Sequence, residues 1–169
     1  MAVTVVAVVA VLVVGIGVLT ARRSSGAESG PVGRVQPFSL GPVAASTSAV
    51  SLGAVPGRAT VVTFFAAWCD PCRAELPLVE TASRAPGAPA VVGIDVLDQR
   101  PDAVSLLRQA GVTFPAAFDH DGSVSARWGV VGLPVTVFAA ADGRIIAYHR
   151  GELRSTQLTQ LIGRLAHAA

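Results

Sequence analysis

The chain has 169 residues, a formal net charge of +2 and 51% hydrophobic residues, which allows one globular domain and an appendage. Its basic residues are 13 arginines without a lysine, so catalysis through a lysine Schiff base is excluded. Acidic and basic residues are interspersed, without the basic cluster that a nucleic-acid-binding protein needs.

The N-terminus is almost wholly apolar over residues 2–20. As a helix this stretch would be about 28 Å long, close to the hydrocarbon thickness of a bilayer, so residues 1–23 are predicted to be a membrane anchor. A cleaved signal peptide is the alternative, with cleavage near residues 25–27. Residues 24–36 are small and polar and predict a flexible linker, so the folded domain is expected to span residues 37–169.

The first half of the domain shows three strand patterns and one helix pattern. Two short alternating segments, residues 38–40 and 50–52, predict a hairpin ahead of the main sheet. The continuous apolar run 60–66 predicts a central strand that is covered on both faces. A helical pattern follows over residues 69–84, and Pro77 inside it predicts a kink.

Beyond that helix the chain alternates between strand patterns and amphipathic helix patterns. The predicted elements are a buried strand at 90–96, a helix opened by Pro101 and closed by Gly111, a strand at 114–118, a helical turn capped by Asp121 and carrying Trp128, a hairpin of strands 132–138 and 144–149, and a helix capped by Ser155. This alternation predicts an α/β three-layer sandwich.

The only two cysteines of the chain, Cys69 and Cys72, stand where the central strand passes into the first helix. The N–H groups and the dipole of a helix N-terminus stabilise a thiolate, and the spacing brings the two sulfurs close enough to form a disulfide. A structural zinc site would need about four Cys and His ligands. Haem attachment would need a histidine where Arg73 stands. The pair therefore predicts a dithiol–disulfide exchanger.

The stretch from Trp68 to Pro77, W-C-D-P-C-R-A-E-L-P, resembles the W-C-x-P-C-x-x-E-x-P motif of the TlpA/ResA/CcmG group of membrane-anchored, thioredoxin-like reductases. The resemblance implies a thioredoxin-like α/β/α sandwich with an N-terminal β-hairpin and an additional helix and strand before Pro134. It also implies an extracytoplasmic domain. By charge alone, Arg22 and Arg23 after the apolar segment would favour the cytoplasmic side.

The resemblance further implies a protein disulfide reductase that needs no small-molecule cofactor and no metal, because the electrons stay on sulfur. The implied substrate is the haem-binding cysteine pair of apocytochrome c, and the implied electron donor is a transmembrane dithiol protein. The expected location is the cell membrane, or outside the cell if the N-terminal segment is cleaved. Two alternatives stay open: an oxidant that forms disulfides in exported proteins, and a non-catalytic binder of unfolded exported chains.

Three residues of the motif are expected to carry the chemistry. Cys69, at the exposed tip of the helix, would attack the substrate disulfide, and the more buried Cys72 would resolve the mixed disulfide. Glu75 matches the motif's acid, which in the family lies under the cysteines, and it would accept the proton of Cys72 there. The alternative for Glu75 is a solvated acid on the helix surface.

Neighbouring residues are expected to tune the couple and to bind substrate. Asp70 and Pro71 are the tuning residues, since a carboxylate beside Cys69 opposes thiolate formation; alternatively, Asp70 is a first-turn acid that complements the helix dipole. Pro134 matches the family's cis-proline, which would let the backbone of Leu133 pair with an extended substrate strand.

The remaining aromatic and imidazole side chains receive simpler interpretations. Trp68 is expected to pack against the site and limit access to it, or to be plain core. Trp128 is expected in the core. The three histidines, His120, His149 and His167, are expected to be surface or capping residues.

Overall fold

The computed structural model of the chain describes residues 33–44 and 48–168. The predicted anchor or signal segment, residues 1–23, lies outside the described residues, as does most of the predicted linker. Among the described residues, no helix combines the length and the apolar character that a membrane span requires.

In the described part of the chain, seven strands form two sheets: β1 Phe38–Leu40, β2 Val50–Leu52, β3 Thr60–Phe65, β4 Ala90–Val96, β5 Ala116–Asp119, β6 Val135–Ala139 and β7 Ile145–Arg150. β1 and β2 pair antiparallel, which confirms the N-terminal hairpin. The other strands form one sheet in the order β5-β4-β3-β6-β7. β3, β4 and β5 run parallel, and β6 and β7 are antiparallel to their neighbours. The apolar run is therefore the central strand, as predicted, and all its residues are buried.

The described residues also form four helices, which are interspersed among the strands: α1 Asp70–Ser83, α2 Arg100–Gln109, α3 Ser123–Arg127 and α4 Ser155–Ala166. α1, α2 and α4 bury apolar side chains against one face of the five-stranded sheet. The short α3 and the β1–β2 hairpin cover the other face. The α/β class is confirmed, but the second outer layer is a hairpin with one helix instead of a full layer of helices.

Side chains of β3 alternate between these two cores, as the pleat of a strand requires. Val61 and Phe65 face the helical layer, whereas Val62 and Phe64 face the hairpin. Gly93 in β4 makes room for the ring of Phe65, since a Cβ at position 93 would lie 2.9 Å from Phe65 Cε1. The last residue of β3 is thereby held in place directly before the loop that leads to the cysteines.

Three strands begin or end at the same edge of the sheet. β3 and β4 end there because they are parallel, and the antiparallel β6 begins there. Phe64 lies opposite Val135 of β6, and Phe65 lies opposite Asp95 of β4. The loop to Cys69 and the residue before β6, Pro134, therefore meet at the same edge although they are distant in sequence.

The segments on either side of β1 cover the two outer strands of the sheet. Before β1, Val35 is buried and its N–H donates to the carbonyl oxygen of Gly143, ahead of β7, at 2.9 Å. After β1, the N–H of Val43 donates to Ala116 O of β5 at 2.8 Å. Covered edges prevent pairing with other chains. The packed domain therefore includes residues 33–36, which the sequence pattern assigns to the linker.

The cap of α3 differs from the prediction. The carboxylate of Asp119 accepts the N–H of Val124 at 3.1 Å and that of Ser125 at 2.8 Å. Asp121 accepts the N–H of Ser123 at 3.0 Å and stays at the surface. Asp119 is the main capping acid because it ends β5 directly beneath the helix, a position that depends on the fold of both elements.

The two remaining helix ends are shifted by one residue. α4 is capped by Arg154, whose N–H donates to Gln157 Oε1 at 3.0 Å, so the predicted cap Ser155 is its first helical residue. The C-cap of α2 is Ala110, and the predicted cap Gly111 follows it with φ +66°, a left-handed conformation that glycine adopts without strain.

Candidate active site

Cys69 is the N-cap of α1, and Cys72 lies in the first turn of the same helix. Their sulfurs form a disulfide with an Sγ–Sγ distance of 2.01 Å. The N–H of Cys72 also donates to Cys69 Sγ at 3.3 Å. Cys69 is 5% exposed and Cys72 is 1% exposed. Cys72 is the more buried sulfur, as predicted, but the prediction of an exposed Cys69 is wrong for the disulfide form, because the N-cap side chain is turned over the first turn.

The loop that carries Cys69 is held by charged side chains from two elements. The N–H of Ala67 donates to a carboxylate oxygen of Asp98, which follows β4. On the other side, the guanidinium of Arg73 in α1 donates to the carbonyl oxygen of Ala67 at 2.6 Å. Both backbone polar groups of Ala67 are thus bound inside the protein, which fixes the approach of the chain to Cys69.

Trp68 stands at the rim of the site. It is 61% exposed, so the interpretation as a core residue is wrong. Its Nε1 donates to the carbonyl oxygen of Leu97 at 3.4 Å, and Leu97 is itself 59% exposed. Val131, just before β6, is 89% exposed. These three residues come from loops at the same sheet edge and present large apolar side chains to solvent.

Glu75 lies one turn beyond Cys72 on the buried face of α1 and is 1% exposed, which excludes the alternative of a solvated surface acid. Its Oε1 accepts the hydroxyl of Thr136 at 2.6 Å and that of Thr63 at 3.4 Å. Its Oε2 accepts the N–H of Leu153 at 2.8 Å. Three separate elements, β3, β6 and the segment before α4, therefore converge on this carboxyl group.

The protonation of Glu75 follows from these partners. Burial raises the pKa of Glu75, while the hydrogen bonds from Thr136, Leu153 and Thr63 and the charge of His149 lower it by less. A proton on this carboxyl must sit on Oε1, because Oε2 accepts a backbone N–H that cannot reverse its direction. The hydroxyls at Oε1 can reverse, since a hydroxyl both donates and accepts.

The predicted tuning residues lie on the outer side of the same turn. The carboxylate of Asp70 is 97% exposed and 3.8 Å from Arg73 Nε. Pro71 occupies one of the first two positions of α1 and is exposed. Water screens a charge so placed, which favours the simpler interpretation of Asp70 as a first-turn acid that complements the helix dipole.

The Leu133–Pro134 peptide bond is cis, as the resemblance implied. Pro134 is buried, and its carbonyl oxygen accepts the N–H of Gly151 at 2.9 Å. Leu133 is half-buried between the two cores. Among the described residues, the backbone of Leu133 forms no hydrogen bond.

A group of buried acids at this edge was not predicted. Asp95 and Asp119 are 0% exposed and Asp98 is 5% exposed. The available signal was Asp95 itself, a charged residue in the otherwise apolar run of β4. The reach of Asp98 to the peptide of Ala67 had no signal in the sequence, because it depends on a contact between two loops.

The other side chains agree with the predictions, except for one histidine. Trp128 is in the core, with its ring 5.5 Å from that of Phe64. His149 was expected at the surface but is buried, since it lies opposite Thr136 on the face of the sheet that carries Glu75. In the described parts of the chain, no three His, Cys, Asp or Glu side chains are grouped as metal ligands.

A family model described as Redoxin matches residues 31–162. The chain belongs to the Redoxin family. Among curated relatives, the thiol:disulfide interchange protein CycY of Rhizobium leguminosarum bv. viciae is 34% identical over 103 residues, which are 60% of this chain and 55% of CycY. The DsbE homolog of Paracoccus denitrificans is 41% identical over 95 residues, 55% of this chain and 51% of that protein. ResA of Oceanobacillus iheyensis is 30% identical over 127 residues, 70% of this chain and 63% of ResA.

These relatives confirm the family resemblance of the cysteine motif, and the chain spans about half to two-thirds of their length. Solved structures confirm the thioredoxin-like fold. A secreted disulfide oxidoreductase of Mycobacterium tuberculosis has a TM-score of 0.66 and 26% identity over 77% of this chain and 95% of its own. A thioredoxin family protein of Chlorobium tepidum has a TM-score of 0.66 and 24% identity over 77% of this chain and 93% of its own.

Proposed function

We propose that this protein is an extracytoplasmic thiol–disulfide oxidoreductase that acts mainly as a reductant of protein disulfides. The observation that carries the proposal is the Cys69–Cys72 disulfide at the start of α1, with the buried carboxyl of Glu75 one turn beyond it. Relatives of the Redoxin family that are named thiol:disulfide interchange proteins support the same activity.

In the first step of reduction, the thiolate of Cys69 attacks one sulfur of a substrate disulfide. A bond forms between Cys69 Sγ and that sulfur, the substrate S–S bond breaks, and the other substrate sulfur leaves with the electron pair and takes a proton. The N-terminus of α1 favours the attacking thiolate, because the helix dipole is positive there and the N–H of Cys72 donates to the N-cap sulfur.

In the second step, Cys72 resolves the mixed disulfide. Its thiol gives a proton to Glu75, and its sulfur attacks Cys69 Sγ. The Cys69–Cys72 disulfide forms, the bond to the substrate breaks, and the second substrate sulfur leaves as a thiolate. Two electrons have then passed to the substrate. Glu75 suits the proton transfer because a carboxyl with a raised pKa is a better proton acceptor near neutral pH than an ordinary one.

The substrate strand is proposed to lie along Leu133 and Pro134. This segment enters β6 at the sheet edge where the loop to Cys69 leaves β3, and the backbone groups of Leu133 have no partner among the described residues. An extended peptide could therefore add to this edge by backbone hydrogen bonds. The exposed side chain of Trp68 would contact the peptide on the other side of the disulfide.

The proposed substrate is the haem-binding cysteine pair of apocytochrome c, and the proposed electron donor is a transmembrane dithiol protein. Residues 1–23 are proposed to anchor the domain to the membrane. The similar structure from Mycobacterium tuberculosis, which is described as secreted, supports a domain that works outside the cytoplasm.

The reduction potential of the Cys69–Cys72 couple tests the direction of exchange. We expect a value nearer to that of thioredoxin, about −270 mV, than to that of the oxidant DsbA, about −120 mV. The reason is that the two buried acidic groups near the pair, Glu75 and Asp98, disfavour a thiolate and so favour the disulfide. Equilibration with glutathione or dithiothreitol buffers gives the potential, and a value near the DsbA end would make the protein an oxidant.

A further inference from the structure

Asp95 is the one charged residue of β4, and it is completely buried. It follows Ile94 in an apolar strand and lies beside Phe65 at the end of β3. Neither of its carboxyl oxygens has a hydrogen-bond donor among the described residues. A carboxylate without any partner is rarely tolerated in a protein interior, so this side chain calls for a physical explanation.

The neighbours of Asp95 are two further buried carboxyl groups. Asp98 uses its oxygens on the N–H groups of Ala67 and Gln99, the latter at 2.7 Å. Asp119 uses its oxygens on the first N–H groups of α3. Both acids are therefore already acceptors, and neither can donate to Asp95. A hydrogen bond within the group requires that Asp95 carry the proton and donate it to Asp98.

Electrostatics agrees with that arrangement. Burial, the charge of Asp98, a hydrogen bond to Asp98 and the charge of Asp119 raise the pKa of Asp95 to about 8, although Arg100 opposes the shift. At pH 7 the pair of Asp95 and Asp98 thus holds one proton and one negative charge.

We propose that Asp95 is a positioning residue of the redox site: its proton keeps the carboxylate of Asp98 on the N–H of Ala67 and so holds the loop that carries Cys69. The inference rests on the proposed thiol–disulfide exchange at Cys69. It assigns a proton-dependent element on the β4 side of the site, separate from Glu75 on the α1 side.

Loss of the proton from Asp95 would place two negative charges side by side in the interior. They would repel each other and weaken the bond between Asp98 and Ala67. The added charge would also oppose the approach of an attacking thiolate to Cys69 Sγ and the departure of Cys72 as a thiolate. Exchange at the disulfide should therefore slow down as the pH rises through about 8.

The other charged groups near Asp95 and Asp98 do not account for this pH dependence. Arg100 faces Asp95, and Arg73 lines a groove of about 420 Å³ together with Asp98 and Asp102; arginine stays protonated over the whole pH range. His120 is exposed, and its imidazole stacks on the ring of Phe118 with the ring centroids 5.7 Å apart. In the oxidised protein no cysteine thiol titrates.

The first test follows the oxidised, full-length chain by tryptophan fluorescence from pH 6 to 10. Trp68 is adjacent to Ala67 and reports on the loop. We expect a transition near pH 8 that is absent in Asp95→Asn, because an asparagine can donate to Asp98 but cannot ionise. Asp102→Asn removes an exposed acid of the same groove and His120→Gln removes the nearby imidazole, so both should keep the transition. Trp68→Phe should lose it, because Trp128 is buried elsewhere.

The second test measures the rate at which dithiothreitol reduces the disulfide, divided by the concentration of its thiolate. We expect the wild-type rate to fall about threefold to tenfold between pH 7 and 9, the effect of up to one unit of pKa. The fall should persist in Glu75→Gln, which removes the other acid with a raised pKa near the disulfide, and the double variant Glu75→Gln, Asp95→Asn should stay within about twofold over this range. In Asp98→Asn both the fluorescence and the rate transition should move to lower pH, because the partner that holds the proton is gone.

Each outcome decides the proposal. A wild-type profile without a transition between pH 7 and 9 overturns it even if no variant folds, and so does a fluorescence transition that persists in Asp95→Asn or stays unmoved in Asp98→Asn. Failure of the activity itself is a separate result. In that case the reduced protein would leave insulin disulfides intact at every pH, while the dithiothreitol reaction would still report on Asp95.

Discussion

Helix α1 buries two glutamates, and the pKa values of their carboxyl groups are shifted in opposite directions. Glu75, near the disulfide, is surrounded by two hydroxyls and one backbone N–H, and burial raises its pKa. Glu80, near the far end, is also desolvated by burial, but the hydroxyl and N–H of Thr113 and the guanidinium of Arg84 outweigh that effect and lower its pKa.

Burial alone therefore does not decide the protonation of a carboxyl group. Both residues are at most 6% exposed. What differs is the balance between burial and the partners. At Glu80 the hydroxyl and N–H of Thr113, with a smaller contribution from Arg84, outweigh burial, whereas at Glu75 burial outweighs the hydrogen bonds. The carboxyl at the far end of α1 is therefore held in its charged form, and the one at the near end is more easily protonated.

The largest effect is expected at the near end of α1, when either cysteine is changed. Cys69→Ser should abolish the reduction of insulin disulfides, and Cys72→Ser should trap a mixed disulfide with the substrate, because only the first thiol attacks and only the second releases. Non-reducing gels and mass spectrometry would detect the trapped complex. Trapping by Cys72 in the Cys69→Ser variant would reverse the two roles.

The next effect concerns stability at the far end. Glu80→Gln keeps the size of the side chain but removes the charge that holds Thr113 and Arg84, so the free energy of unfolding should fall by about 1–3 kcal/mol. Because the pKa of Glu80 is lowered in the folded state, this stability is present above the unfolded pKa and is lost as the pH falls through the folded one. Urea titrations at pH 7 and pH 3 should therefore show a smaller deficit of the variant at pH 3 than at pH 7. A rate of disulfide exchange that also changed would contradict the separation of the two ends.

At the near end of the helix, Glu75→Gln should change the exchange reaction. The resolving step should lose much of its pH dependence and change by about tenfold, which corresponds to about 1.4 kcal/mol, because the proton acceptor of Cys72 is gone. Alkylation rates of Cys72 from pH 5 to 10 would report it.

Stability provides a second test of Glu75. Its raised pKa means that the stability contributed by the protonated form is complete below the unfolded pKa and is lost as the pH rises through the folded one. The free energy of unfolding of Glu75→Gln, minus that of wild type, should thus be greater at pH 8 than at pH 4. Matching pH profiles of wild type and variant, in both rate and stability, would remove Glu75 from the proton pathway.

The smallest effect is expected for Arg84→Gln. The guanidinium is 61% exposed, so water and side-chain entropy leave its ion pair with Glu80 worth about 0–1 kcal/mol. Thr113 would still hold the carboxylate with two hydrogen bonds. Urea titrations in low and high salt should show a small deficit that shrinks with salt. A loss as large as that of Glu80→Gln would mean that the cation, and not Thr113, accounts for the state of Glu80.

The strands and helices could be predicted because their signals are local. The apolar run of β3, the amphipathic spacing of α4 and the turn before β7 appear in the sequence at the places where the structure has them. The errors lie where an element end depends on a distant partner. Asp121 has the right residue type for a cap, yet Asp119 caps α3 because β5 ends beneath that helix.

The sequence by itself determined the reactive pair, because two cysteines separated by two residues at the start of a helix are within bonding distance in any fold that forms that helix. It also determined that Glu75 lies on the same side of α1 as Cys72. Only the tertiary structure decided the states of the acids. Thr63, Thr136 and Leu153 reach Glu75 from three separate elements, and Asp95 is isolated with Asp98 where two strands end. The physical reason is that desolvation and the supply of hydrogen-bond donors set the pKa of a carboxyl group, and both depend on which distant segments pack around it.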